Sequence, residues 1–319
     1  MKHLKLFQRI NMYWKKKGHI FTVNGQFEWM NSHAQVPTVL DLGETLRIFF
    51  STRKTLTESK IGWLDVEASN PSVIKYLHNS PVLDNGLPGC FDEHGTMPSS
   101  IILTNKNDFY LFYSGWSQRI TVPYSNLAGV AKSHDGKVFT RIGDGPVFSL
   151  NLTEPYSATS PFIFYENDKY YAFYCSGNGW HKVNDKFEHT YDIKLATSFD
   201  GVEWNQKGVV CINSSFPYEA ITRPTILKLN NIYHMWFCYR GSEDFRGGSN
   251  SYRIGYAFSE NLIEWNRNDA LSGIDVSLDG WDSEMVAYPY VIKTKFGVYM
   301  FYNGNGFGKS GFGYAKLIF

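Results

Sequence analysis

A proline that recurs at near-constant intervals constrains this chain more than any other feature. Pro37, Pro98, Pro161, Pro224 and Pro289 stand 61, 63, 63 and 65 residues apart. Each is followed by a short apolar segment, a turn and an aromatic segment. The aromatic segments are Leu46-Arg-Ile-Phe-Phe-Ser51, Phe109-Tyr-Leu-Phe-Tyr-Ser-Gly115, Tyr170-Tyr-Ala-Phe-Tyr-Cys-Ser-Gly177, Tyr233-His-Met-Trp-Phe-Cys-Tyr-Arg-Gly241 and Val298-Tyr-Met-Phe-Tyr-Asn-Gly304. A third segment carries small residues: Ile61-Gly-Trp-Leu64, Leu127-Ala-Gly-Val-Ala131, Ile193-Lys-Leu-Ala196, Ile254-Gly-Tyr-Ala257 and Phe312-Gly-Tyr-Ala315. Self-similarity at such a period marks one supersecondary unit used repeatedly. Aromatic side chains suit a pleated, half-buried surface, so the units read as β-sheets. Asp135-Gly136, Asp200-Gly201 and Glu260-Asn261 then turn the chain into a fourth strand, since Asp-Gly between strands is a hairpin signal.

The pattern predicts an all-β fold, a five-bladed β-propeller with four antiparallel strands per blade. Blades are expected near residues 31–85, 92–150, 155–212, 218–270 and 282–319, in a single domain over 1–319. The last unit stops after its third strand. Trp14-Lys-Lys-Lys-Gly18-His-Ile-Phe21 matches Trp204-Asn-Gln-Lys-Gly208-Val-Val-Cys211, which follows the third strand of unit three. Residues 1–22 are therefore expected to supply the outer strand of the last blade and close the ring, a closure that limits exposed sheet edges. Lys182–His189 and Glu243–Asn250 read as long loops on a rigid ring, where function concentrates.

Charge is balanced, 31 basic against 30 acidic residues, which gives no sign of a nucleic-acid or membrane-surface partner. Cys90, Cys175, Cys211 and Cys238 lack metal-ligand spacing and read as thiols of the core. No metal site or cofactor is expected, and an axial divalent ion has no motif behind it. The N-terminal MKHLKLFQRINMYWKKKG lacks a continuous apolar stretch and no run reaches membrane-span length, so a cytoplasmic protein is expected. Phosphate-loop, dinucleotide and zinc-protease motifs are absent.

In a propeller the innermost strands line the central channel, and the residues before each proline lie near one mouth. Five positions before the proline, three units carry Glu: Glu93, Glu219 and Glu284. Four before, two carry His: His33 and His94. One before, unit four alone carries a charge, Arg223. Two carboxylates flanking a sugar ring can act as general acid and base, so the three glutamates are the catalytic candidates. Gln35, Arg53 and Arg240 join His33, His94 and Arg223 as substrate-binding candidates. Asp92 and Asp282 adjoin the glutamates and are second choices, because neighbours in a strand point to opposite faces. Trp116 and Trp180 each follow a glycine in a polar turn and are the candidates for stacking on sugars. Ser198-Phe-Asp-Gly-Val-Glu-Trp204 is one residue shorter than the Asp-box of sialidases and reads as a propeller turn.

With these repeats the chain resembles the five-bladed propeller glycoside hydrolases, the superfamily of families 32, 43, 68 and 130. The resemblance spans essentially the whole chain, most specifically at Thr222-Arg-Pro-Thr-Ile-Leu-Lys228, Tyr252-Arg-Ile-Gly-Tyr-Ala257, Trp281-Asp-Ser-Glu-Met285 and Met300-Phe-Tyr-Asn-Gly-Asn305. It implies chemistry on a glycan or oligosaccharide at the ring axis. Families 32 and 43 place acids in blades one, two and three. Here Trp29-Met-Asn31 is followed by Ser32 and His33, and blade three offers Tyr156-Ser157-Ala158 with Glu154 nearest. Only blade two matches in kind, through Glu93 or Asp92. The leading expectation is an inverting glycoside hydrolase using Glu93, Glu219 and Glu284. The alternatives are phosphorolysis or transfer, with phosphate or a nucleotide sugar held by basic residues, and a non-catalytic glycan-binding propeller.

Overall fold

The computed structural model describes residues 12–319. The regular structure of the described residues is almost all β-strand, with one short 3-10 turn at Asp269–Leu271 and one helical turn at Asn305–Gly308. Strand β1 (Tyr13–Phe21) comes first. It is followed by β2 (Ser32–Asp41), β3 (Thr45–Thr55), β4 (Glu58–Glu67) and β5 (Ile74–Leu77). Unit two comprises β6 (Gly95–Leu103), β7 (Phe109–Gln118), β8 (Tyr124–Ser133) and β9 (Thr140–Arg141). Unit three comprises β10 (Ala158–Glu166), β11 (Lys169–Val183), β12 (Lys186–Ser198) and β13 (Asn205–Ile212). Unit four comprises β14 (Ala220–Leu229), β15 (Ile232–Arg240), β16 (Arg253–Ser259) and β17 (Asn266–Arg267). The final stretch holds β18 (Ala287–Thr294), β19 (Gly297–Asn303) and β20 (Phe312–Ile318).

Within each unit consecutive strands pair antiparallel, as the hydrophobic pattern and tight turns demand. Single parallel bridges, Ser59 with Gly95 and Leu127 with Ala158, join the first three units edge to edge. The first strands touch in a closed cycle: β2 with β6, β6 with β10, β10 with β14, β14 with β18, and β18 with β2. Strand β1 pairs with β20, Trp14 opposite Leu317 and Phe21 opposite Phe312. The N-terminal strand thus completes the last sheet. Residues 1–11 of the expected closing segment lie outside the described residues. Trp14 meets Trp236 of unit four edge-on at 5.2 Å, which ties the closing strand to its neighbour.

The fourth-strand turns repeat one device. Ser133, Ser198 and Ser259 each accept backbone N–H bonds two and three residues on, while Asp135, Asp200 and Asn261 cap the N–H groups beyond. The segment resembling an Asp-box is one of these turns. The Lys182–His189 stretch, expected as a loop, is instead the tip of a hairpin. β11 and β12 extend past the sheet and turn at Asn184 and Asp185, both at left-handed φ (+47° and +63°), the signature of a type I′ turn. The four thiols are free; Cys175, Cys211 and Cys238 are buried and Cys90 is half-buried. No helix among the described residues is long and apolar enough to cross a membrane.

Candidate functional site

The five prolines position the site through a defect in the ladder. Proline cannot donate a ladder hydrogen bond, and the β2–β3, β6–β7, β10–β11, β14–β15 and β18–β19 registers all slip at it. A bulge of this kind re-aims a side chain. In four units the preceding residue takes a left-handed backbone: Val36 (φ +52°), Ser160 (+49°), Arg223 (+56°) and Tyr288 (+54°). These four and Met97, the pre-proline residue of unit two, all line one cavity of about 420 Å³ where the first strands converge. Bulky residues at left-handed φ are strained, and here the strain sits at the same offset around one axis.

The cavity wall is aromatic and basic. Trp116, Tyr124, Trp180, Tyr191, Tyr252 and Phe307 line it, with Gln35, Arg53, Arg240, Asn126 and Thr159. Gly95 fixes Trp116: a Cβ at that glycine would lie 2.5 Å from the indole nitrogen, which donates instead to Ser59 Oγ at 2.8 Å. Over the mouth, Glu188 of the hairpin and Arg246 of the loop after β15 form a two-point ion pair at 2.6 and 2.8 Å. Phe245 lies between two guanidinium groups, 3.8 Å from that of Arg240 and 4.2 Å from that of Arg246. Both long excursions therefore meet above the axis.

Three arginines of this cavity have no acidic partner among the described residues. Arg47, Arg141, Arg246, Arg253 and Arg267 each carry an ion pair, whereas Arg53, Arg223 and Arg240 do not. Arg223 is 2% exposed. It crosses from unit four to donate to Pro98 O, Val36 O, Pro37 O and Thr38 Oγ1 in units one and two. Burial pulls it down to about 10, so it remains a cation at neutral pH. Arg240 donates to Gly241 O, His189 O and the phenol oxygens of Tyr191 and Tyr252. Arg53 differs. Its Nε donates to Gln35 Oε1 at 3.2 Å, and its two terminal nitrogens have no hydrogen-bond partner among the described residues. Burial lowers this guanidinium below its usual value. A free guanidinium fork is the geometry that takes a carboxylate or phosphate by two parallel bonds. Thr159, 6% exposed, lines the same cavity, and its buried hydroxyl has no hydrogen-bond partner among the described residues.

Gln35, Arg53, Trp116, Trp180, Arg223 and Arg240 are thus brought together as expected binding residues. Glu93, Glu219 and Glu284 are not. Glu93 accepts from Gly89 N at 2.9 Å in its own turn. Glu284 is exposed, with its backbone held by Asn305. Glu219 is buried against Arg267, at 2.6 and 3.0 Å. Glu219 belongs to a set that repeats. Asp92 binds Arg141 and Tyr113 OH, Glu154 binds Lys194 and Tyr174 OH, and Asp282 binds Lys16 and Tyr302 OH. In unit four Phe237 replaces the tyrosine, and Arg267 lies 5.3 Å from its ring. Burial and the adjacent carboxylate push the phenols of Tyr113, Tyr174 and Tyr302 up, keeping them donors. These carboxylates lock the loop before each first strand to later strands of the same sheet. Asp92 and Asp282 are the buried member of each pair, and Glu93 and Glu284 the outer one, the reverse of the ranking expected from the sequence.

His33 and His94 also lie off the cavity lining. His94 sits 3.6 Å from Glu93 and 5.8 Å from Trp116. His33 bonds Ser32 Oγ; burial, then Arg53 and Lys309, hold it down at about 4, so it is neutral in the physiological range. The residues that the sequence reading missed are Tyr124, Glu188, Tyr191, Phe245, Arg246, Tyr252 and Tyr288. Tyr288 shared the offset already recognised for Arg223, and that offset was the signal available. Among the described residues no group of three His, Cys, Asp or Glu side chains is placed to hold a metal ion.

The architecture is that of the β-propeller glycoside hydrolases. A solved glycoside hydrolase superposes with a TM-score of 0.72 at 16% identity, over 99% of this chain and 94% of that one. A thermostable family-43 glycoside hydrolase gives 0.66 at 18%, over 90% and 88%. No family model matches the sequence. The chain belongs to the same family as the uncharacterized protein Rv1502 of Mycobacterium tuberculosis (strain ATCC 25618 / H37Rv), 36% identical over 96% of this chain and 99% of that protein.

Proposed function

We propose that this protein is a five-bladed, single-domain propeller that acts on an anionic saccharide in its axial cavity. The reading is carried by Arg53: a half-buried guanidinium with a free two-pronged face, in a cavity whose other unpaired cations are Arg223 and Arg240. Uncompensated buried charge is costly, and a bound carboxylate or phosphate would compensate it. The aromatic wall supplies faces for the apolar sides of a sugar ring. The cavity is lined by one carboxylate, Glu188, already held by Arg246. Acid–base hydrolysis needs two carboxylates across the ring. Attack by phosphate, or transfer from an activated anionic sugar, needs one proton carrier and a cationic cradle. Those reactions therefore suit the cavity better than hydrolysis by paired glutamates.

The test is a panel of hexuronates, hexose 1-phosphates, nucleotide sugars and neutral aryl-glycosides, with and without inorganic phosphate, read by binding and by product mass. Saturable, salt-weakened binding of the anionic members is expected, with products only from them or only with phosphate. Binding without product would leave a glycan-binding propeller. Phosphate-independent hydrolysis of neutral glycosides, abolished by Glu93→Gln, Glu219→Gln or Glu284→Gln, would overturn the proposal.

A further inference from the structure

A second cleft of about 490 Å³ lies beside the axial cavity and shares Trp180 with it. Its walls are the β11–β12 hairpin, the 213–219 connection and the loop after β15. Two aromatic rings stand open on it: Phe216, 39% exposed, and Tyr218, 58% exposed. Tyr218 has a left-handed backbone (φ +59°), unfavourable for a bulky residue. That conformation separates it from its neighbour: Glu219 turns inward to Arg267 while the Tyr218 ring faces the cleft. The position is held from both sides. Ser242 Oγ donates to Tyr218 O at 2.7 Å, and the His181 ring lies 4.5 Å from the tyrosine ring. His181 is fixed in turn by Thr190. Glu243, exposed on the same cleft, has no ion pair or side-chain hydrogen bond among the described residues.

A strained, exposed tyrosine held in place, with the exposed Phe216 and the Glu243 carboxylate beside it, makes a surface that stacks a sugar ring and accepts hydrogen bonds from its hydroxyls. Its lining holds Lys182, paired with Asp185, and Glu243, so it lacks the cluster of unpaired arginines found at the axis. We infer that this cleft is a second saccharide subsite for a neutral ring, continuous with the axial cavity over Trp180. The substrate is then an oligosaccharide, with its anionic unit at Arg53 and a neutral unit on Tyr218. This deepens the axial reading and rests on it for the anionic end.

The experiment compares glucuronic acid alone with glucuronic acid extended by one and two glucose units. Neutral trisaccharides of glucose, mannose and galactose form a separate arm. Calorimetry on the full chain is expected to show about a tenfold affinity gain on extension. Tyr218→Ala and Glu243→Gln remove that gain and leave glucuronic acid binding unchanged; both sites are exposed, and unaltered melting confirms the fold. A gain that survives both variants, or no gain in the wild type and no Tyr218-dependent binding of any neutral trisaccharide, overturns the subsite. Arg53→Ala reports on the axial reading separately: if it leaves glucuronic acid binding intact, that reading fails. The Tyr218-dependent binding of neutral trisaccharides still decides the subsite.

Discussion

Two sets of charged side chains in this molecule are built from the same residue types and do opposite things. At the start of units two, three and four and of the last sheet, a buried carboxylate meets a cation within its own sheet, as in Asp92 with Arg141 and Glu219 with Arg267. At the axis, Arg53, Arg223 and Arg240 have no such partner. A paired buried charge is complete and has no affinity to spare. An unpaired one keeps a demand that a ligand can satisfy. On the proposed function, the carboxylates hold the sheets together and the arginines take the ligand.

The largest effect should come from breaking a clamp. Glu219→Ala leaves Arg267 with only Asp269 as an acidic partner, and should lower stability by about 3–5 kcal/mol, read by urea denaturation. Anion affinity of the folded fraction should stay the same. A loss of affinity with stability intact would break the distinction. Next, Arg53→Ala should weaken binding of a hexuronate or hexose phosphate by about 10- to 100-fold, with denaturation midpoints nearly unchanged. A drop in stability comparable to that of the clamp variant would make Arg53 structural instead. The smallest effect sharpens the comparison through pH. Burial holds His189 down at about 3, with Arg240 the next cause, and His234 at about 4. Unfolded histidines take up protons below about 6.5, while these two stay neutral in the folded chain. Stability should therefore fall as pH drops from 7 toward 4, by about 1 kcal/mol per histidine at pH 5.5. His189→Gln should flatten part of that slope in pH-dependent melting. An unchanged slope would mean that the ring is already protonated beside Arg240.

Much of the scaffold was legible because it is periodic. Sheet order, the closing strand from Trp14 and the free thiols follow from patterns that repeat or fail to repeat along the chain. The cavity lining was half legible. Arg223 stands immediately before a proline, and the same offset points to Tyr288, which also lines the cavity. Glu93, Glu219 and Glu284 do not line that cavity, because a shared sequence offset is not a shared direction. They precede the first strands, in loops of differing shape, so Glu219 turns inward, Glu284 outward and Glu93 back onto its own turn. Nor could pairing be read: Glu188 and Arg246 lie 58 residues apart and meet only because a hairpin and a loop fold over one mouth.

What the sequence by itself determined is the repeat: strand alternation, turn chemistry and regularly placed prolines are local, and local rules repeat with the sequence. What only the tertiary structure decided is which charges are satisfied. Whether an arginine meets a carboxylate depends on side chains up to 58 residues away, and on bulges whose direction is set when the units pack. That decision separates the clamps from the cavity.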